Sequence, residues 1–427
     1  MKNNKLNIWV KFLAFMLIML NGNYPLVYFG YIIGEGPSRV LWSIVFIAVI
    51  LLKLKLKIKV KPIFILFYMI FVILTLLQSE YLNSFFLQEF LNLSFLFLIT
   101  YLIVYAIGFK GLLYIPKVMV KLIKFSLVFY IPSAVLFILG VNWSSLIRSV
   151  SFQSNTARIG TSREPLHIII HNFSGLFKEF GYGANSLIPR NSGVFWEPGA
   201  FAGSIIMVFI FVVIYKKYFT KLELRKINKW LFIGLLSTFS TTGLLIVPLL
   251  ILIYYLRDNK ASIKVFFKLT FLCFLVSAIS IVSFMNIPIL NEKITSEIER
   301  VDSNERGSET TRLGSLLLVS QMVIENPYIG VGFAASREVF SDKLSVLGYE
   351  FSDVGIGNGM ILMLAWCGIP YFLFLLLLMG YNFKSSDMSL GLSIGLVFVI
   401  LLMLQGESWM RLPLIYSFCF LTIHNPK

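Results

Sequence analysis

The sequence predicts an all-α polytopic membrane protein, and its composition and hydropathy pattern support this fold class. Hydrophobic residues make up 58% of the 427 positions, whereas charged residues make up only 14%. Apolar runs recur along the whole chain, and most are long enough to cross a hydrocarbon core of about 30 Å. A helix satisfies its own backbone hydrogen bonds in lipid, so these runs indicate helices. We therefore expect about twelve transmembrane helices.

The order of the apolar runs and basic connectors gives a topology. The predicted spans are 8–32, 38–53, 62–78, 89–108, 124–142, 199–217, two short helices within 229–257, 264–289, 358–382, 389–404 and 410–424. The basic connectors 53–61, 110–124 and 216–229 all fall on one side, which the positive-inside rule identifies as the cytoplasm. This bias and anionic lipid account for the net charge of +16, so nucleic-acid binding is not expected.

The spans divide the chain into five parts, with both termini in the cytoplasm. They are N-terminal helices (1–142), a first outer segment (143–198), central helices (199–289), a second outer segment (290–357) and C-terminal helices (358–427). The two outer segments hold 14 of the 21 acidic residues. A channel or carrier would place ionisable groups within its spans. We therefore expect any chemistry at the outer membrane surface.

Residues 229–257 are basic at both ends, so a single span would leave one basic flank outside. Two short helices that meet at STFSTTG (237–243) fit better, because the hydroxyl groups can satisfy backbone groups exposed at the break. With three cysteines in or beside apolar runs and three histidines in all, neither a disulfide framework nor a metal site is expected.

The second outer segment predicts a helix over 309–325 that ends at Asn326 and Pro327. The residues expected on its packed face are Leu313, Leu316, Leu317, Ser320, Val323 and Ile324. Just beyond it, Gly330, Gly332 and Ala335 match a dinucleotide-binding pattern. No strand precedes this match, so no cofactor is expected.

The stretch RNSGVFWEPG (190–199) stands at the start of an apolar run. Pro198 suits the first turn of a helix, and Glu197 lies where the positive end of the helix dipole stabilises a carboxylate. Gly193 permits an unusual backbone conformation or a close approach of another group. Trp196 can stack on a sugar or anchor the chain at the membrane interface.

Four motifs carry a resemblance to a known family. RNSGVFWEPGAFA, STFSTTGLLIV, TRLGSLLLVSQMVIENPYIGVGF and GNGMILMLAWCGIPYFL occur in this order within residues 190–380. In these motifs and in its topology the chain resembles bacterial O-antigen polymerases and the related O-antigen ligases. The resemblance implies an inverting glycosyltransferase of the bacterial inner membrane, independent of metals and cofactors. Such an enzyme joins oligosaccharides carried on undecaprenyl diphosphate at the periplasmic or external face.

The charged residues of the outer segments agree with that chemistry. These segments hold eight arginines and three lysines, and a guanidinium binds phosphate through two hydrogen bonds. Arg190 and Arg312 are predicted to stabilise the departing diphosphate, and Glu197 to orient or deprotonate the acceptor hydroxyl. The residues predicted to bind substrate are Arg163, Arg306, Arg337, Trp196, Asn358, Asp353 and His171. Local pairing of arginines with acids is the alternative, as for Arg312 with Glu309.

Three functions stay open at this stage, and a polymerase is favoured. It would transfer the growing glycan to the non-reducing end of a second carrier-linked unit, with a chain-length regulator and a flippase as candidate partners. A ligase would transfer finished chains to a lipid A core, but Gly357 stands where the ligases have a histidine. A flippase would bind the same lipid, with its cations in a lumen within the spans. The general base is open, and Asp353 is a candidate besides Glu197.

Overall fold

The described helices follow the order of the predicted spans in a computed structural model, and the predicted spans 38–53 and 264–289 lie outside the described residues except for Phe271. The N-terminal helices are α1 (Ile8–Asn21), α2 (Pro62–Leu82), α3 (Leu87–Leu112) and α4 (Ile115–Ile138). The central helices are α5 (Pro198–Ile214), α6 (Lys221–Ser237) and α7 (Thr241–Leu256). Next come α8 (Arg312–Glu325), α9 (Gly359–Lys384), α10 (Leu390–Leu404) and α11 (Pro413–Ser417). The structure describes residues 8–21, 60–82, 87–139, 153–154, 166–167, 190–191, 193, 195, 198–257, 271, 312–332, 359–405 and 413–424.

Short elements complete this part of the chain. The 3₁₀ helices Lys216–Tyr218 and Phe418–His424 follow α5 and α11 respectively. One antiparallel pair of two-residue strands, Gln153–Ser154 with Leu166–His167, lies in the first outer segment, where the sequence predicts no strand. Apart from this pair, the regular structure of the described residues is helical.

Three of the described helical stretches are long and apolar enough to cross a membrane, namely Pro62–Tyr81, Phe90–Leu112 and Gly359–Lys384. Five shorter apolar stretches accompany them, at Ile8–Met19, Pro198–Ile214, Thr242–Leu256, Leu390–Leu404 and Pro413–Thr422. These lengths and compositions support a helical membrane protein, and the number of twelve spans stays a prediction.

The boundaries of two helices differ from the prediction. Helix α4 begins at Ile115 and α6 at Lys221, so much of the basic sequence predicted as connector is helical. In α6 the side chain of Thr220 accepts a hydrogen bond from the backbone of Glu223, and the carboxylate of Glu223 accepts one from the backbone of Thr220. This capping box starts the helix ahead of its apolar part, because lysine and arginine are good helix formers.

The predicted break within residues 229–257 is present between α6 and α7. Helix α6 ends at Ser237, three residues form a turn, and the side chain of Ser240 caps α7 by accepting a hydrogen bond from the backbone of Gly243. Phe239 in this turn has a φ of 44° although it is not glycine. Backbone strain of this kind persists only where surrounding contacts impose it.

Several basic connectors meet at one end of the bundle, here called the basic end. Lys117 of α4 pairs with Glu223 of α6 at 2.7 Å, and Lys217 pairs with Asp387 in the turn between α9 and α10. The guanidinium of Arg257, just after α7, donates to the backbone carbonyl of Asp387 at 2.7 Å. Hydrogen bonds from the paired lysines lower the pKa of Glu223 and of Asp387. The ends of six helices, α4, α5, α6, α7, α9 and α10, therefore face the same side, as the charge pattern predicts.

Candidate functional site

The first candidate site is a polar junction between the RNSG stretch and the break after α6. The Nε of Arg190 donates to the backbone carbonyl of Thr238 at 3.0 Å. The backbone N–H of Asn191 donates to the carbonyl of Ser237 at 2.9 Å. These bonds satisfy carbonyl groups that the end of α6 leaves without a helical partner. We refer to Arg190, Asn191, Ser237 and Thr238, together with Ser126 of α4, as the polar junction.

Asn191 ties three segments together at this junction. Its Nδ2 donates to the hydroxyl of Ser126 at 3.2 Å and to the hydroxyl of Ser237 at 3.0 Å. Its Oδ1 accepts the backbone N–H of Gly193 at 2.9 Å. Asn191 and Ser237 are both buried. A buried amide with its donors and acceptor satisfied fixes the position of the neighbouring Arg190.

Gly193 has the unusual conformation that the sequence predicts. Its φ is 59°, and a Cβ added there would lie 2.8 Å from Cε1 of Phe201. Phe195 stacks on Phe201 with ring centroids 5.4 Å apart, and both rings are fully buried. Helix α5 begins at Pro198, as predicted. The turn at Gly193 thus packs closely against Phe201 in the first turn of α5.

The polar junction lies well inside the bundle. Helix α4 continues for twelve residues beyond Ser126 to Ile138, which corresponds to about 18 Å. The sequence predicts chemistry at the outer surface, whereas Asn191, next to the half-buried Arg190, bonds to Ser126 at a level well short of the end of α4. The physical reason is that the amide of Asn191 finds its hydroxyl partners on α4 and α6, within the bundle. A charged side chain within the membrane raises the free energy of the folded protein unless it interacts with a polar partner or a ligand.

A second junction joins the segment after α8 to a break in α9. The backbone N–H of Val331 donates to the carbonyl of Ala365 at 2.7 Å, and that of Gly332 donates to the carbonyl of Trp366 at 3.0 Å. In the reverse direction, the N–H of Ile369 donates to the carbonyl of Pro327 at 2.8 Å. We call residues 326–332 with residues 365–369 the glycine junction, because glycines permit its backbone contacts.

Two glycines are required at this junction. Gly368 interrupts α9 with a φ of 70° and a ψ of 166°, and Gly330 has a φ of 71°. A Cβ on Gly330 would lie 2.6 Å from the carbonyl oxygen of Trp366. From α2, the Nε2 of Gln78 donates to the carbonyls of Ile329 at 2.6 Å and Trp366 at 2.7 Å. Backbone groups exposed within membrane helices need such partners.

The glycine junction anchors α8, the helix that begins with Arg312. Its predicted packed face is partly wrong, because Ile324 is 77% exposed whereas Val319 and Met322 are buried. The apolar residues of this helix occur on most of its sides, so their spacing along the sequence does not identify the side that is buried. The helix ends at Glu325, next to Asn326 and Pro327, as predicted.

Of the ten predicted site residues, Arg190 is described with its side chain, at the polar junction. Arg312 is described by its backbone at the start of α8, and its side chain lies outside the described part. The others also lie outside the described residues: Arg163, His171, Trp196, Glu197, Arg306, Arg337, Asp353 and Asn358.

Asn191, Ser126 and Gln78 are not among the site residues that the sequence predicts. A polar side chain in an apolar helix is the signal that could have identified the serine and the glutamine.

The two junctions join the four family-like motifs in pairs. The first motif contacts the second through Asn191 and Ser237, and the third contacts the fourth through Val331 and Ala365. Backbone hydrogen bonds thus connect segments that are 46 and 34 residues apart. In comparisons with known proteins, no family model, no curated protein and no solved structure matches this chain.

Proposed function

We propose that the chain is an O-antigen polymerase of the bacterial inner membrane. It transfers a growing glycan from undecaprenyl diphosphate to the non-reducing end of another carrier-linked repeat unit, on the outer face. The family-like motifs support this proposal, since each contacts another motif. The observation that carries it is the recessed Arg190, whose Nε is held by the carbonyl of Thr238.

A fixed arginine at membrane depth suits a lipid diphosphate. In a site with little water, a guanidinium stabilises phosphate charge more strongly than it does in bulk water. Because Nε is already bonded to a carbonyl, the plane of the guanidinium is set before substrate arrives. Such preorganised groups stabilise the charge that develops on a leaving group.

The reaction follows as a single displacement. The acceptor hydroxyl oxygen forms a bond to the anomeric carbon while the bond from that carbon to the diphosphate oxygen breaks, which inverts the configuration. The electron pair stays on the diphosphate, where Arg190 and Arg312 stabilise it. Glu197 takes the hydroxyl proton, as the carboxylate nearest to Arg190 along the sequence.

The depth of Arg190 also favours a second candidate, a flippase for lipid-linked oligosaccharide. A flippase needs cations along its path within the membrane, and the polar junction that holds Arg190 includes Ser126, which lies about 18 Å along α4 from its end at Ile138. In the polymerase, the diphosphate has to reach this depth from the outer headgroup layer, so the proposal requires a polar cavity that opens to the outer face.

A deletion strain separates these functions. We expect it to accumulate single repeat units on the carrier, or to attach single units to the acceptor lipid, and to lose every longer chain. Gel separation of surface polysaccharide, together with extraction of carrier-linked glycans, measures both pools. Long chains retained on undecaprenyl diphosphate would instead identify a ligase, and single units trapped on the cytoplasmic side would identify a flippase.

The orientation of the chain is tested with reporter fusions. We expect fusions at residues 222 and 259 to report the cytoplasm, because the start of α6 and the end of α7 both lie at the basic end. Fusions at residues 160 and 340 should report the outside. Opposite locations for 222 and 259 would contradict the α6–α7 hairpin.

A further inference from the structure

Helices α4 and α6 lie side by side and run in the same direction from the basic end. Lys117 pairs with Glu223 at 2.7 Å, and about two turns further along, Lys124 lies over the ring of Trp230 at 4.8 Å. Both pairs join residues that are 106 positions apart, so the helices stay in register over this stretch. The stretch of seven residues corresponds to about 10 Å along the helix axes.

This stretch exposes many cations and few acids. The exposed basic residues are Lys121 and Lys124 on α4 and Lys221, Arg225, Lys226 and Lys229 on α6. Glu223 is the one acidic residue among the described residues of α4 and α6, and it pairs with Lys117. Leu222, between these cations, is 77% exposed. We call the six exposed cations the basic face.

The basic face ends at the same level on both helices. Beyond Lys124, the exposed residues of α4 are apolar, beginning with Phe125 and Val128. On α6 the change occurs at Trp230 and is followed by the exposed Phe232. Tryptophan is enriched at membrane interfaces, and the ends of lysine side chains reach toward the headgroups. This level therefore marks the edge of the hydrocarbon layer, and the basic face occupies the headgroup layer.

We propose that the basic face binds the headgroups of anionic phospholipids in the leaflet at the basic end. The basic face places six cations on two adjacent helices. This local density of positive charge exceeds the few basic residues that are enough to orient a helix in the membrane. The proposal is independent of the catalytic function, because it involves none of the proposed site residues.

Lipid retention by the purified full-length protein tests this proposal. The protein is equilibrated in detergent with equal amounts of phosphatidylglycerol and phosphatidylcholine, and the retained lipids are counted by native mass spectrometry. We expect a preference for phosphatidylglycerol that falls about tenfold or more in K121Q/K124Q/R225Q/K226Q/K229Q. The control K61Q/K110Q/K384Q removes three other exposed cations and should keep the preference, whereas K124Q/K226Q/K229Q, which removes three cations of the basic face, should lose most of it. An unchanged preference in the five-site variant, or an equal loss in the control, would overturn the proposal.

Three further measurements keep the test decisive if the five-site variant fails to fold. In the wild-type protein, 1 M salt should abolish most of the preference, because it shortens the screening length to about 3 Å. The charge-keeping variant K121R/K124R/K226R/K229R should retain the preference. Free inorganic phosphate at millimolar concentration should not displace the lipid, since one phosphate engages few of the cations. A preference that resists salt, or full displacement by phosphate, contradicts a lipid-headgroup site.

Discussion

Replacement of Gly368 by alanine should destabilise the protein by about 3 kcal/mol. The backbone at Gly368 has a φ of 70°, which alanine adopts only with strain. The added Cβ would overlap the carbonyl oxygen of Tyr328 and lie 2.6 Å from its carbonyl carbon. Because these are backbone atoms, relief requires separation of the glycine junction. Thermal unfolding of the purified protein in detergent measures the effect as a lowered midpoint.

Gly380 provides a control in the same helix. A Cβ added there would lie 3.6 Å from Cγ2 of Val397, an ordinary contact, and the backbone is helical. Gly380→Ala should therefore leave the midpoint unchanged or raise it slightly, since alanine favours helix by about 1 kcal/mol. Equal unfolding midpoints for Gly368→Ala and the wild-type protein would show that the non-helical backbone at Gly368 does not contribute to stability.

Replacement of Arg190 by alanine should reduce long-chain polysaccharide by about 100-fold. The variant loses the cation that the proposed mechanism places on the departing diphosphate. Arg190→Lys should lose most of the activity as well, because an ammonium cannot bond the carbonyl of Thr238 and offer a planar fork to phosphate at once. The distribution of chain lengths on a gel, normalised to protein in the membrane, gives the readout.

Arg257→Lys is the matched control for this experiment. Arg257 also donates to backbone carbonyls, those of Ser386 and Asp387, but it lies at the basic end. We expect chain lengths close to wild type in this variant. Wild-type chain lengths in both Arg190→Lys and Arg190→Ala would remove Arg190 from the site, and an equal defect in Arg257→Lys would indicate a general loss of folding.

The parts of the fold that the sequence predicts depend on local chemistry. The break between α6 and α7 follows from basic flanks and a cluster of hydroxyl residues, and the start of α5 follows from Pro198. The start of α4 is not predictable in this way, because lysines suit both a solvated connector and a helix. Its helical start is stabilised by the pairing of Lys117 with Glu223, 106 residues away.

The candidate site is predicted less completely than the fold. Arg190 stands out as a charged residue before an apolar run, and Gly193 as a glycine beside it. The contacts that hold them involve hydroxyl and carbonyl groups of distant segments, such as Ser126 and Thr238. At the glycine junction, backbone atoms pair with backbone atoms, so side-chain chemistry gives no signal of the pairing. Such long-range contacts appear once the chain is folded.

The composition of α6 has a consequence for the biogenesis of the protein. Its apolar part, Trp230 to Ser237, is eight residues long and covers about 12 Å, less than half of the hydrocarbon core. A segment this short does not partition from the translocon into lipid by its own hydrophobicity. Instead it packs on an existing helix, where Gly234 leaves room for Ile123 of α4. We therefore expect α6 to insert late, after the ribosome has delivered α4 and α5 to the bilayer.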